Sequence, residues 1–192
     1  MIECKNIIKK YGDLIVFDHF NLVLQTHSTT GIMGKSGRGK TTLLRLLLGL
    51  ESPDSGQILG LENQLLSAVF QEDRLIDTLT IYQNICLPHL HQHTLPERSH
   101  VASVLASLDI TSDLDKKVGE LSGGMKRRVA IIRAVMAQYD CLILDEPFKG
   151  LDAKTKDLTM AYVKSNTRNK TVLLVTHDIT ELDFLQCEVI EL

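Results

Sequence analysis

The segment Gly34-Lys35-Ser36-Gly37-Arg38-Gly39-Lys40-Thr41 fits the pattern G-x-x-x-x-G-K-[ST]. No other stretch constrains the fold as much, because this pattern works only where a strand runs in and a helix runs out. The flanks supply both. Thr29–Met33, "TTGIM", reads as a short buried strand, and from Lys40 to Leu50 the leucines recur at helical spacing. Glycines let the backbone curl around phosphate oxygens, and the helix N-terminus behind them adds a positive dipole end. In that setting Lys40 neutralises β and γ phosphates, and the Thr41 hydroxyl ligates Mg²⁺. A chance glycine-rich turn would lack the strand and the helix.

Strands and helices alternate along the chain. Ile2–Tyr11 and Leu14–Leu24 read as two strands around a Tyr11-Gly12-Asp13 turn. Short strands follow up to Gln71. From about Glu72 to Val118 the sequence turns helical and polar, with "VASVLASL" as an amphipathic helix. After Ser122 a helix runs to about Gln138. "CLILDEP" and "TVLLVTHD" are buried strands, each followed by a helix, and "CEVIEL" is a final short strand. The expected class is therefore α/β: a mainly parallel sheet covered on both faces, an N-terminal antiparallel β subdomain and an inserted α-helical subdomain. The expected organisation is one domain over 1–192, with a core of 1–71 and 140–192 and a helical part of 72–139.

Composition excludes some functions. A formal net charge of −3 gives no electrostatic reason to expect nucleic acid. Four cysteines lack the paired spacing of a zinc site and read as reduced, packed thiols. The start carries no leader pattern, and "TTLLRLLLGL", broken by Arg45, is too short to span a bilayer, so a soluble protein is expected. The run His89, His91, His93 suggests a metal site, but alternate residues share a face only in a strand. A loop or helix is expected there, which favours a solvated polar face.

Several polar residues fall at the ends of the buried strands, where open α/β sheets bind ligands. Asp145 and Glu146 close "CLILDEP"; Asp145 is suited to hold Mg²⁺ through water and Glu146 to polarise an attacking water. The plainer alternative is a pair of capping acids before Pro147. His177 follows the next strand and can contact a γ-phosphate or hold the water, or simply precede the helix cap at Asp178. Gln71 follows "SAVF" and can ligate Mg²⁺ or sense the γ-phosphate, or be an edge polar residue. Tyr11 can stack on adenine or pack on its own sheet. A second anion site opens the helix after Leu121, at Ser122-Gly123-Gly124. One nucleotide needs one loop, so this second site needs another explanation.

Taken in order, these residues resemble the nucleotide-binding subunit of ATP-binding-cassette (ABC) transporters. The resemblance covers nearly the whole chain: aromatic Tyr11, a phosphate loop Gly34–Thr42, Gln71, a signature Leu121–Met125, "LILDEP" with Asp145 and Glu146, a loop ending at Asp152, and switch His177. It implies a P-loop NTPase core that hydrolyses ATP with Mg²⁺. Nucleotide contacts would come from Tyr11, Gly34 to Thr42 (including Lys35, Ser36, Gly37, Arg38, Gly39 and Lys40), Gln71, Ser122, Gly123, Gly124 and Asp152. Glu146, His177 and Lys40 would be catalytic, and Thr41, Gln71 and Asp145 would hold the metal. It also implies a head-to-tail homodimer, in which Ser122-Gly123-Gly124 of one chain binds the γ-phosphate held by the other. A transmembrane permease would dock around Gln71–Pro88, an external solute-binding protein would act indirectly, and no nucleic acid would bind. The chain would then sit in the cytoplasm, peripheral on the inner face of the membrane. Glu72-Asp73-Arg74-Leu75 is similar to the nitrate, sulfonate and taurine importers. Exporter and lipoprotein-release cassettes share the frame "VFQ…LT…N…LP", and a soluble non-transport cassette is the reading from another class. The chain departs from the family at Lys35, where proline is common, at Arg127, where glutamine is frequent, and at Lys149-Gly150. The last two are expected to alter dimer contacts or rate.

Overall fold

The computed structural model describes residues 1–35, 37–92, 94–111 and 113–192. The chain gathers into two units: one of 1–66, 139–145 and 169–192, the other of 67–138 and 146–168. The second unit therefore takes in 146–168 as well as the helical stretch.

The first unit is built on strands that are apolar throughout. β6 (Cys141–Asp145) and β7 (Thr171–Val175) are buried at every position, which suits parallel strands covered on both faces. β7 pairs in parallel with β6 on one side and with β3 (Thr29–Met33) on the other. β8 (Glu188–Glu191) pairs in parallel beyond β3. Helix α1 (Lys40–Leu47) buries Leu43, Leu44, Leu46 and Leu47. Helix α6 (Ile179–Leu185) follows β7. A separate antiparallel sheet has β1 (Ile2–Tyr11) between β2 (Leu14–Leu24) and β4 (Ser55–Leu59). Tyr11 faces Leu14 across the turn, and Gly12 there takes φ 59°. The short β5 (Leu66–Val69) carries the chain into the second unit.

The second unit contains α2 (Ile81–Cys86), a 3₁₀ turn (Leu87–Gln92), α3 (Arg98–Ser107), α4 (Gly123–Met136) and α5 (Ala153–Asn166). Its core joins Ile81 and Ile85 of α2, Val101 and Leu105 of α3, and Val129 and Ile132 of α4. At six residues, α2 is too short to be stable by itself. It is held at its start by a capping box between Thr80 and Gln83. It is also held by its surroundings. The main chain of 77–82 is laced to 114–119 by Val118 N–H to the Leu79 carbonyl (3.0 Å), Gly119 N–H to Asp77 (3.0 Å) and Ile81 N–H to Lys116 (3.0 Å).

Asn84 closes this arrangement from inside. It is fully buried. Its Oδ1 accepts the Ile76 N–H at 2.9 Å, and its Nδ2 donates to the carbonyls of Ile76 (3.1 Å) and Thr80 (3.0 Å). The side-chain amide thus does for this loop what a neighbouring strand would do. Truncation leaves buried backbone groups without partners, which costs far more than one exposed hydrogen bond is worth. Asn84→Ala is expected to lower unfolding stability by about 2–4 kcal/mol; a urea midpoint close to that of the parent chain would contradict this.

Candidate functional site

β3 leads the chain to Gly34, and α1 begins at Lys40. Between them the loop needs its glycines. Gly39, the N-cap of α1, takes φ 90°, a conformation L side chains avoid. A Cβ placed on it would lie 2.6 Å from Val16 Cγ1 and 3.0 Å from the Phe17 ring. The Lys40 ammonium folds back along the loop, donating to the Gly34 carbonyl and, at 3.1 Å, to that of Lys35. Lys35, Gly37, Arg38 and Thr41 are exposed, and Thr42 is half-buried. Ser36 lies outside the described residues. A cleft of about 490 Å³ opens here, lined by Gly34, Lys35, Arg38, His177 and the segment Glu191–Leu192.

Strand register brings other residues to the same edge. Val175 of β7 pairs with Asp145 of β6 on one side and with Ile32 of β3 on the other. Asp145, at the end of its strand, is 7% exposed. His177 stands two residues past the end of β7 in a turn fixed on both sides. The Thr176 hydroxyl donates to the buried carboxylate of Glu181 at 2.6 Å and accepts the Asp178 N–H at 3.1 Å. Asp178 then caps α6 by accepting the Thr180 N–H at 2.9 Å. The result is a cationic loop, a carboxylate and an imidazole along one sheet edge.

Tyr11, also in the first unit, is 43% exposed. Its hydroxyl donates to Glu51, which also receives Arg45 at 3.0 Å. The Tyr11 hydroxyl first, with Arg45 and Lys9 adding to it, holds the Glu51 carboxyl below the usual carboxylate range. The Lys9 ammonium lies over the ring, 5.2 Å from its centroid. The phenol is thus anchored by its oxygen while much of the ring remains accessible to a flat partner.

The second unit holds the remaining candidates. Gln71 is exposed, two residues beyond the end of β5. Glu146 takes φ 48°, a left-handed conformation of the kind that costs a non-glycine residue about 1–3 kcal/mol. Its carbonyl accepts the Lys149 N–H at 3.2 Å, closing the turn through Pro147 and Phe148. Asp152 caps α5: it accepts the Thr155 N–H at 3.0 Å and the Thr155 hydroxyl at 2.7 Å. Those bonds, the hydroxyl's above all, hold its carboxyl below the usual range. Ser122 caps α4 by accepting the Met125 N–H at 3.3 Å, and Ser122 and Gly123 are exposed.

Of the two effects expected of Arg127, burial fits a change of rate rather than of dimer contacts. Arg127 does not lie on a surface where it could touch another chain. It is 5% exposed and bonded to the main chain around Gln71 and Glu146. Arg133, from the same helix, donates to the carbonyls of Arg74 (2.9 Å) and Asp73 (3.2 Å). Of the histidine run, His89 lies in the 3₁₀ turn, where burial pulls its imidazole below the usual range; His93 lies outside the described residues. Among the described residues no group of three or more His, Cys, Asp or Glu is placed to hold a metal ion, and no helix is long and apolar enough to cross a membrane.

Comparison with known proteins agrees with this geometry. A family model described as ABC transporter matches residues 17–149. The aliphatic sulfonates import ATP-binding protein SsuB 3 of Paraburkholderia xenovorans is 38% identical over 182 residues, spanning 94% of this chain and 72% of that protein. The Nod factor export ATP-binding protein I of Burkholderia orbicola is 34% identical, spanning 96% and 65%. The intermembrane phospholipid transport system ATP-binding protein MlaF of Haemophilus influenzae is 35% identical, spanning 95% and 76%. Among solved structures, a dimeric ATP-binding cassette in a post-hydrolysis state with ADP and Pi superposes with a TM-score of 0.86 at 29% identity. That match covers 100% of this chain and 94% of the other.

The phosphate loop can be tested through Gly39. Gly39→Ala places a methyl against Val16 and forces a left-handed alanine. It is expected to cost about 1–3 kcal/mol and to weaken binding of a fluorescent ATP analogue at least about tenfold. Unchanged affinity in a folded variant would show that the loop tolerates another path.

Proposed function

The chain belongs to the ABC transporter family and is an ATPase that powers a membrane transporter, and from that premise we propose how its residues divide the work. The transporter takes up a small solute, a direction supported by the sulfonate importers among its relatives. An exporter is the second reading, favoured by the Nod factor export relatives. A separate transmembrane permease docks around Gln71–Pro88, and an external solute-binding protein acts indirectly. The chain itself lies at the inner face of the membrane.

Lys40 stabilises the charge that develops on the transferring phosphoryl group. To do so it exchanges the loop carbonyls it now holds for phosphate oxygens, which are better partners for an ammonium. Arg38 and the loop N–H groups bind the remaining phosphates. The exposed ring of Tyr11 stacks on adenine. Thr41, Asp145 and Gln71 are hard oxygen donors of the kind Mg²⁺ prefers, and they would hold it. The bound metal would screen phosphate charge during phosphoryl transfer. Glu146 orients and polarises the attacking water, and His177 supports the γ-phosphate from its pinned turn.

One observation carries the reading of the second anion site. Gly123 is exposed, lacks a positive φ, and a Cβ there would meet nothing within 4 Å. Among the described residues nothing requires glycine at that position, although glycine weakens a helix by roughly 0.5–1 kcal/mol relative to alanine. The space is reserved for something outside the chain. The α4 N-terminus, with its free N–H groups and dipole, suits an anion. A γ-phosphate held by a second copy fits both requirements, so ATP bridges the two copies and its hydrolysis releases them.

Glu146→Gln keeps the side chain's size and removes its charge. It is expected to bind ATP with affinity within about twofold of the parent chain while losing turnover by about a hundredfold or more. Steady-state phosphate release checks this, and sustained hydrolysis by the variant would remove Glu146 from the chemistry.

A further inference from the structure

We propose that Arg127 is a positioning residue for hydrolysis: its one guanidinium fixes the main chain of Glu146 against the loop that contains Gln71. The inference rests on the role proposed above for Glu146.

Arg127 reaches two segments at once. Toward the end of the acidic strand, Nε donates to the Pro147 carbonyl at 2.7 Å and Nη2 to the Glu146 carbonyl at 2.7 Å. Toward the loop after β5, Nη1 donates to the Phe70 carbonyl at 2.5 Å, to that of Gln71 at 3.4 Å, and to Asp73 Oδ1 at 3.2 Å. Asp73 balances a charge that is otherwise almost fully enclosed. Every one of these contacts lies within the second unit.

A planar fork with five N–H groups is required for this. Lysine offers one compact ammonium, and glutamine two donors from one nitrogen, so neither spans both segments. The target is also unusual. Glu146 is in a left-handed conformation, which persists only where the surroundings over-determine it. Arg127 adds to that constraint, since the Glu146 carbonyl accepts both the Lys149 N–H of the turn and Arg127 Nη2. It thereby ties the placement of the Glu146 carboxylate to loop 70–73, which Arg133 secures at Asp73 and Arg74. Any displacement of that loop is passed by a single rigid group to the residue that orients water. Small misplacements of that kind are costly in rate and nearly neutral in binding.

The test uses the full chain with Arg127→Gln, Arg127→Lys and Glu146→Gln, measuring kcat and KM for Mg-ATP, affinity for a fluorescent ATP analogue, and melting temperature. Arg127→Gln is expected to lower kcat by about tenfold or more, with KM and nucleotide affinity within about twofold, and Arg127→Lys to fall between it and the parent. Should Arg127→Gln not fold, Arg127→Lys decides by the same split. A folded variant with kcat within about twofold of the parent would overturn the proposal. So would kcat and nucleotide affinity falling together, as a purely structural defect would make them. If Glu146→Gln turns over normally, the role of Glu146 fails, and this result is separate from any obtained with Arg127.

Discussion

The parallel register of β3, β7 and β6 is the constraint on which the site depends. Ile32, Val175 and Asp145 stand level across neighbouring strands, which in any sheet lie about 4.8 Å apart. Because these strands are buried at nearly every position, a slip in register would expose part of a continuous apolar core or bury the polar residues beyond their ends. The hydrophobic effect therefore aligns the strand ends, and the loops leaving them share an edge. The phosphate loop, Asp145 and the pinned His177 come to one sheet edge for that reason, although they are far apart in the chain.

The second unit works on a different principle. Its helices are joined by many loops, so its shape depends on polar side chains bonded to backbone as well as on the apolar core of α2, α3 and α4. Asn84 satisfies the loop before α2, Arg127 and Arg133 hold the loop after β5, and Arg128 joins the first turn of α4 to Asp109 (3.2 Å) at the end of α3. Beside that apolar core, these bonds hold the loops at defined separations. They keep the helix that begins at Gly123, Glu146 and the loop after β5 in fixed relation.

Much of this was legible in the sequence. The phosphate loop, the two apolar strands and the helix after Ser122 are local signals, and the α/β fold with an antiparallel N-terminal sheet follows from them. The edge position of Asp145 and His177 was legible too, because a buried strand ending in polar residues leaves few alternatives. What sequence reasoning misplaced was tertiary. Gln71 was read as closing a buried strand, whereas β5 is only half-buried and ends at Val69. Arg127 was expected to alter dimer contacts or rate, and its burial fits only the second, because a helix viewed by spacing alone does not disclose which loops close over it. The left-handed backbone of Glu146 has no sequence mark at all, since conformations of that kind are imposed by what surrounds them.

The central claim is that ATP joins two copies through Ser122-Gly123-Gly124. The most direct measurement is the mass of the Glu146→Gln chain by light scattering, with and without ATP. The account predicts a monomer without nucleotide, a doubled mass with ATP, and no doubling when Ser122→Arg is added. A mass that ATP leaves unchanged, or a doubling that survives Ser122→Arg, would contradict it.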